Sequence, residues 1–177
     1  MTTTLKLLWA PLLVGAAVAV TLGVYANLHR PTGIAVNLAG FSGPQPAKAW
    51  LATFCMLGVM VQLISALIMY GKAGFAAPSW TAALHRWSGR IAFLVAIPVA
   101  VHCLFALGFS AFDTRTLVHS LLGCFVFGVF AVKMLALPKQ GLAGWVLPLL
   151  GGLVFTAFVG LWLTSSLWYF TTFGVHT

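Results

Sequence analysis

Three histidines, His85, His102 and His119, stand 17 residues apart in the most hydrophobic part of the chain, and each is followed four positions later by a small residue: Gly89, Ala106 and Gly123. A neutral imidazole can ligate iron through one nitrogen while its other N–H donates to a nearby oxygen, so it can enter an apolar span without carrying charge. Two such ligands on different helices hold a b-type haem between them. Residues four apart share a helix face, and a small residue there leaves room for a flat ring. Small residues also serve close helix packing, so the pattern informs mainly through its repetition. The competing reading is a set of hydrogen-bonded histidines that fix helix packing.

The elements that must carry these residues follow from composition. The chain has 177 residues, 62% of them hydrophobic and 6% charged, whereas a water-soluble globule is about a quarter charged. A net charge of +8 would fit nucleic-acid binding, but the nine basic residues lie scattered at the ends of apolar runs rather than in one patch. Cys55, Cys103 and Cys124 lie inside apolar runs without C-x-x-C or zinc spacing, which argues against a disulfide framework or a structural metal site.

A bilayer core takes about 20 apolar residues per helix, and runs of that length fall at roughly 7–28, 49–70, 87–109, 117–137 and 145–170. Helix is the state that satisfies backbone groups in lipid, and the alternation of an outer-membrane barrel is missing. The expected fold is all-α, a polytopic bundle of five transmembrane spans forming a single domain over 1–177. The first run, behind Lys6, has the look of a signal peptide with Val24-Tyr25-Ala26 as cleavage site, and is read as a retained signal anchor. With the N-terminus inside, Lys6, Lys72, Arg86, Arg90, Lys133 and Lys139 fall on the cytoplasmic side against Arg30, Lys48 and Arg115 outside, so N-in, C-out in the cytoplasmic membrane is favoured. Lys133, about one turn inside the fourth span, is expected to snorkel to the headgroups. Trp145 at the start of the fifth span, with Trp168 and Tyr169 at its end, reads as an aromatic belt.

Between the spans, the stretch from Arg30 to Lys48 is rich in Gly and Pro and either caps the outer face, receives a partner or simply connects. Ser79 or Thr81 is the expected cap of the third helix. Asp113, the only acid of the chain, is expected to cap the fourth helix or pair with Arg115. Pro98, one turn before His102, removes a backbone hydrogen bond and is expected to bend the helix there.

Depth sorts the histidines. His102 lies about 10 Å below the outer edge at the helical rise, and His119 enters the fourth span from the same side. These two can share one haem iron. His85 lies on the inner side, about 25 Å along the helix from His102 and rotated by about 100°. A second, inner haem would need a further ligand such as Met69 or a partner subunit; otherwise His85, with Arg86 and Arg90, meets lipid phosphates. His29 and His176, near the outer ends of the first and fifth spans, are alternative ligands.

The segments Leu84-His85-Arg86-Trp87-Ser88-Gly89-Arg90 and Val118-His119-Ser120-Leu121-Leu122-Gly123 resemble the His-x-x-x-Gly helix starts of cytochrome b561-like and ferric-reductase-like membrane haem proteins. The third to fifth spans also resemble an uncharacterised family of small actinobacterial membrane proteins, which implies no established activity. The haem-protein resemblance implies haem b held by histidine pairs, with electrons exchanged between quinol and a redox partner; residue by residue it reaches His85, His102 and His119. No flavin or nicotinamide motif is present, so the chain alone is at most a subunit of an oxidoreductase.

Two functions are therefore expected to compete: a haem-b electron-transfer subunit linking the quinone pool to a redox protein on the outer face, or a cofactor-free structural or assembly subunit of a larger respiratory membrane complex. A transporter or proton pump is disfavoured, because the one acid belongs to a loop and no inverted repeat is visible. An intramembrane hydrolase is disfavoured by the lack of a Ser/His/Asp set or H-E-x-x-H motif.

Overall fold

Apolar runs of this length have no stable form in lipid except helix, and five of them form helices. A computed structural model describes residues 2–35 and 37–177, with side chains from Thr4 onward. Among these residues the chain is helical without strands: α1 (Thr2–Leu28), α2 (Pro44–Met69), α3 (Thr81–Val101), α4 (Thr114–Ala136), α5 (Val146–Trp162) and α6 (Trp168–Phe173). A π-helical turn, His102–Leu107, prolongs α3, and a second, Leu163–Leu167, joins α5 to α6. Five helical runs, Thr4–Leu28, Pro44–Met69, Thr81–Leu107, Thr114–Ala136 and Val146–Phe173, are long and apolar enough to cross a membrane. The protein is a multi-pass membrane protein.

Several helices begin earlier than hydropathy alone marks them. Pro44 and Pro46 occupy the first turn of α2, where a missing N–H costs nothing and the fixed φ suits the helix. The first turns of α3 carry His85, Arg86 and Ser88, polar residues that a hydropathy window discounts. At the start of α4, the Asp113 carboxylate accepts from the Thr116 N–H at 2.8 Å while the Thr116 hydroxyl faces the Asp113 N–H at 3.3 Å, a reciprocal capping box. Asp113 also approaches the Arg115 guanidinium at 4.0 Å. The expected cap of α3 is different: Trp80 occupies that position without a side-chain bond, and Thr81 lies one residue inside, buried, its hydroxyl without a partner among the described residues.

The chain separates into two compact units, Met1–Gly33 with Leu104–Thr164, and Ile34–Cys103 with Ser165–Thr177. In the first, α4 packs against both α1 and α5. Its α1/α4 contact is antiparallel and close: a Cβ on Gly15 would lie 2.6 Å from the Gly128 carbonyl oxygen, and one on Gly128 would lie 2.7 Å from that of Gly15. Only glycine permits this approach, and in lipid such backbone proximity supplies the dispersion contact that drives association. Leu8, Val129, Val132, Ala136, Val146 and Leu150 form the core at one end of the unit. At the other end the carbonyls of the first π turn are capped by the segment after α1: Phe105 O accepts from the Thr32 N–H (3.0 Å), the Thr32 hydroxyl (3.1 Å) and His29 Nε2 (3.3 Å), and Ala106 O accepts from the Gly33 N–H (3.1 Å). The start of the long connection is thus a helix cap.

In the second unit, α2 packs antiparallel to α3 through small residues. A Cβ on Gly58 would stand 2.9 Å from that of Ala92, and the Cys55 thiol donates to Ala92 O at 3.3 Å. The unit is completed by the end of the second π turn and α6: Ser166 donates to Ala49 O at 2.9 Å, and Phe170 of α6 packs edge-on against Trp50.

Candidate functional site

His119 lies in the second turn of α4, held there by the capping box below it. Its Nδ1 is 3.0 Å from Thr164 Oγ1 in the second π turn, and Thr164 Oγ1 is 2.7 Å from Gly160 O. A carbonyl only accepts, so the single hydroxyl proton of Thr164 goes to Gly160. The His119 Nδ1 must then carry the proton that bridges the two side chains. This tautomer makes Nε2 the nitrogen with the lone pair, as a metal-ligating histidine with an oriented outer partner requires. Four residues on, the face beside Gly123 is open: a Cβ there would meet nothing within 4 Å. Arg115, one turn earlier on the same helix, donates to Thr164 O at 2.9 Å. The π turn, which offsets the usual backbone pairing, thus presents both a hydroxyl and a carbonyl to α4.

His85 in α3 shows the same local chemistry with a different neighbourhood. Its Nδ1 is 2.9 Å from Ser65 Oγ on α2, and Ser65 Oγ is 2.6 Å from Val61 O. The same proton count makes Nδ1 a donor here too. Ser65 is almost fully buried at 1% exposure. Around it, Gln62 Nε2 donates to His85 O and to Ser88 Oγ (2.8 Å), and Ser88 donates to Leu84 O at 2.7 Å. The face beside Gly89 is filled, since a Cβ there would stand 3.0 Å from Gln62 Oε1. This cluster ties two helices together and satisfies polar groups that lipid would leave costly.

The remaining candidates fall as follows. His102 opens the first π turn, half-buried, and its ring makes no hydrogen bond among the described residues; its backbone N–H bonds to Pro98 O and Val99 O. Pro98 lies one turn before a change of helical form. Ala106 is buried in that turn at 4% exposure. His29 is a capping residue: Nε2 donates to Phe105 O, while Tyr25 stacks on its ring at 5.2 Å and places its hydroxyl 3.5 Å from Nδ1. Exposed His176 accepts from Trp50 Nε1 at 2.9 Å through its backbone oxygen. His102 belongs to one compact unit and His119 to the other. No group of three or more His, Cys, Asp or Glu side chains converges among the described residues.

Four partners were not singled out in the sequence: Gln62, Ser65, Thr164 and, in its role beside His119, Arg115. Their signal was the polar side chain inside an apolar run, as with Gln62 in α2 and Thr164-Ser165-Ser166 in the fifth run.

No curated protein and no solved structure matches the chain. A family model matches residues 8–177, and with nearly the whole length covered the chain belongs to DUF6529, a family of unknown function.

Proposed function

We propose that the protein is a haem-b electron-transfer subunit of the cytoplasmic membrane, exchanging electrons between the quinone pool and a redox partner, in which His119 would hold the haem. The observation that carries this reading is the His119–Thr164–Gly160 hydrogen-bond chain, which holds the Nδ1–H tautomer of a histidine one turn before Gly123, where an added Cβ would meet nothing within 4 Å. Haem b, when bound, supplies reversible one-electron chemistry at an iron whose potential responds to axial ligand and hydrogen bonding.

The chain's own groups orient and tune. Thr164 fixes the imidazole plane, and its acceptance from Nδ1–H raises the basicity of Nε2. Arg115 places a permanent positive charge one turn from His119, which favours the more reduced, less positive state of whatever His119 ligates. The sequence reading pairs His119 with His102, with His29 and His176 as alternatives; His29 Nε2 donates to Phe105 O. Resemblance of the His-x-x-x-Gly segments to cytochrome b561-like and ferric-reductase-like proteins points the same way. The test is a reduced-minus-oxidised absorbance spectrum of the purified full chain. A b-type alpha band is expected, and a folded but colourless protein expressed with ample haem contradicts the proposal.

A second reading is favoured by the His85 cluster, whose polar side chains are bonded to one another or to backbone: a cofactor-free structural or assembly subunit of a respiratory complex. It predicts that a co-purifying redox complex keeps its activity after His85, His102 and His119 are all replaced by alanine.

A further inference from the structure

Lysine charge collects at one end of the α1/α4/α5 unit. Lys6 is exposed near the start of α1, Lys133 is half-buried in the last turn of α4, and Lys139 follows in the connection to α5. The three segments meet there: Leu8 shares a core with Val132, Ala136, Val146 and Leu150. Leu7 Cδ1 comes within 3.9 Å of the point where a Cβ on Gly141 would lie, and the Lys139 N–H bonds to Ala136 O at 3.0 Å.

No carboxylate side chain offsets this charge. The single acid of the chain, Asp113, caps the other end of α4 beside Arg115, about 30 Å from Lys133 at the helical rise. The negative end of α4 supplies roughly half a charge near Lys133. Lys133 nevertheless belongs to a run of mean hydropathy 1.9, where an ammonium needs an acceptor at the depth its stem can reach. Trp9 and Trp145, each 57% exposed, are carried at this same end by α1 and the start of α5, and exposed indoles of this kind settle at the headgroup level. An interfacial level with three cations, no acid and flanking tryptophans is matched by one abundant species, a lipid phosphodiester.

We propose that this end of the protein is a binding site for anionic phospholipid, with the phosphate of a phosphatidylglycerol-type lipid accepting from Lys133, Lys6 and Lys139. The site is independent of haem and of the His119 chemistry. Phosphatidylcholine carries the same phosphate but a choline cation that three lysines repel, so the site discriminates by headgroup charge.

The test is native mass spectrometry of the full chain released from nanodiscs containing equal phosphatidylglycerol and phosphatidylcholine. The wild type is expected to retain phosphatidylglycerol preferentially. Lys133→Gln should lower that preference about fivefold, the contribution of one interfacial lysine, and the triple change Lys6→Gln, Lys133→Gln, Lys139→Gln should abolish it. Lys133→Arg, which keeps the charge, should retain the preference, as should Arg30→Gln with Lys48→Gln. Equal retention of the two lipids by the wild type, or an undiminished preference in Lys133→Gln, overturns the proposal. So does displacement of the lipid by millimolar inorganic phosphate, which would make the site one for a free anion.

Discussion

His85 and His119 carry the same hydrogen-bond chemistry and differ in what stands beside it. Each donates Nδ1–H to a hydroxyl on an antiparallel neighbour, Ser65 or Thr164, whose own proton goes to the carbonyl four residues earlier. Each is followed after one turn by a glycine. The space at Gly89 is taken by the Gln62 amide, whereas the space at Gly123 is open. One arrangement therefore reads as a filled helix-to-helix lock, and the other as an oriented histidine one turn from an unfilled glycine position. A His-x-x-x-Gly motif does not distinguish the two, because the difference lies on a neighbouring helix.

Filling the two glycine faces should break the comparison most visibly. Gly123→Leu is expected to remove bound haem altogether while leaving stability within about 1 kcal/mol, since the added atoms meet open space and leucine favours helix. Gly89→Leu should have the opposite outcome: retained pigment and a loss of about 2 kcal/mol from overpacking against Gln62. Absorbance and denaturant unfolding of each protein would show it, and equal behaviour of the two would erase the distinction.

The hydroxyl partners give the next largest contrast. Thr164→Val leaves His119 Nδ1–H without its acceptor and is expected to weaken haem retention about 10- to 100-fold, with Thr164→Ser restoring it; competition for haem by apomyoglobin measures this. Ser65→Ala should cost about 1 kcal/mol in unfolding, the scale of one interhelical hydrogen bond in a membrane, with no spectral change.

The smallest effect belongs to the cap beneath His119. The Thr116 N–H, with the Arg115 charge adding to it, holds the Asp113 carboxyl below its ordinary value of 3.8. A carboxyl depressed in the folded state stabilises above that ordinary value and loses the contribution as pH falls through the lowered one. Asp113→Asn should therefore narrow the stability difference between pH 5 and pH 2.5 slightly, read by thermal unfolding in detergent. An unchanged pH profile would remove Asp113 from the ordering of the α4 start.

Five spans were legible because each is an uninterrupted apolar run of bilayer length, and Asp113 was legible as a cap because it stands alone before Thr116. Helix starts were less so. Pro44 and Pro46 look like loop residues yet suit the first turn of α2, and the polar first turns of α3 hide from hydropathy. Thr81, which resembles a cap, is buried one residue past that position. The π turns after Val101 and Trp162 had only indirect signals, Pro98 and the Thr164-Ser165-Ser166 run. Of the candidate site, the histidines were legible from their spacing, but Thr164 and Ser65 were not: pairing across antiparallel helices depends on register, which apolar periodicity does not encode when every face is hydrophobic.

The central claim, that His119 is a ligand and His85 a lock, meets its most direct test in paired reduced-minus-oxidised spectra of His119→Ala and His85→Ala proteins purified with equal helix content. The account predicts that the alpha band disappears in the first and persists unshifted in the second; a band that survives His119→Ala, or is lost only in His85→Ala, would contradict it.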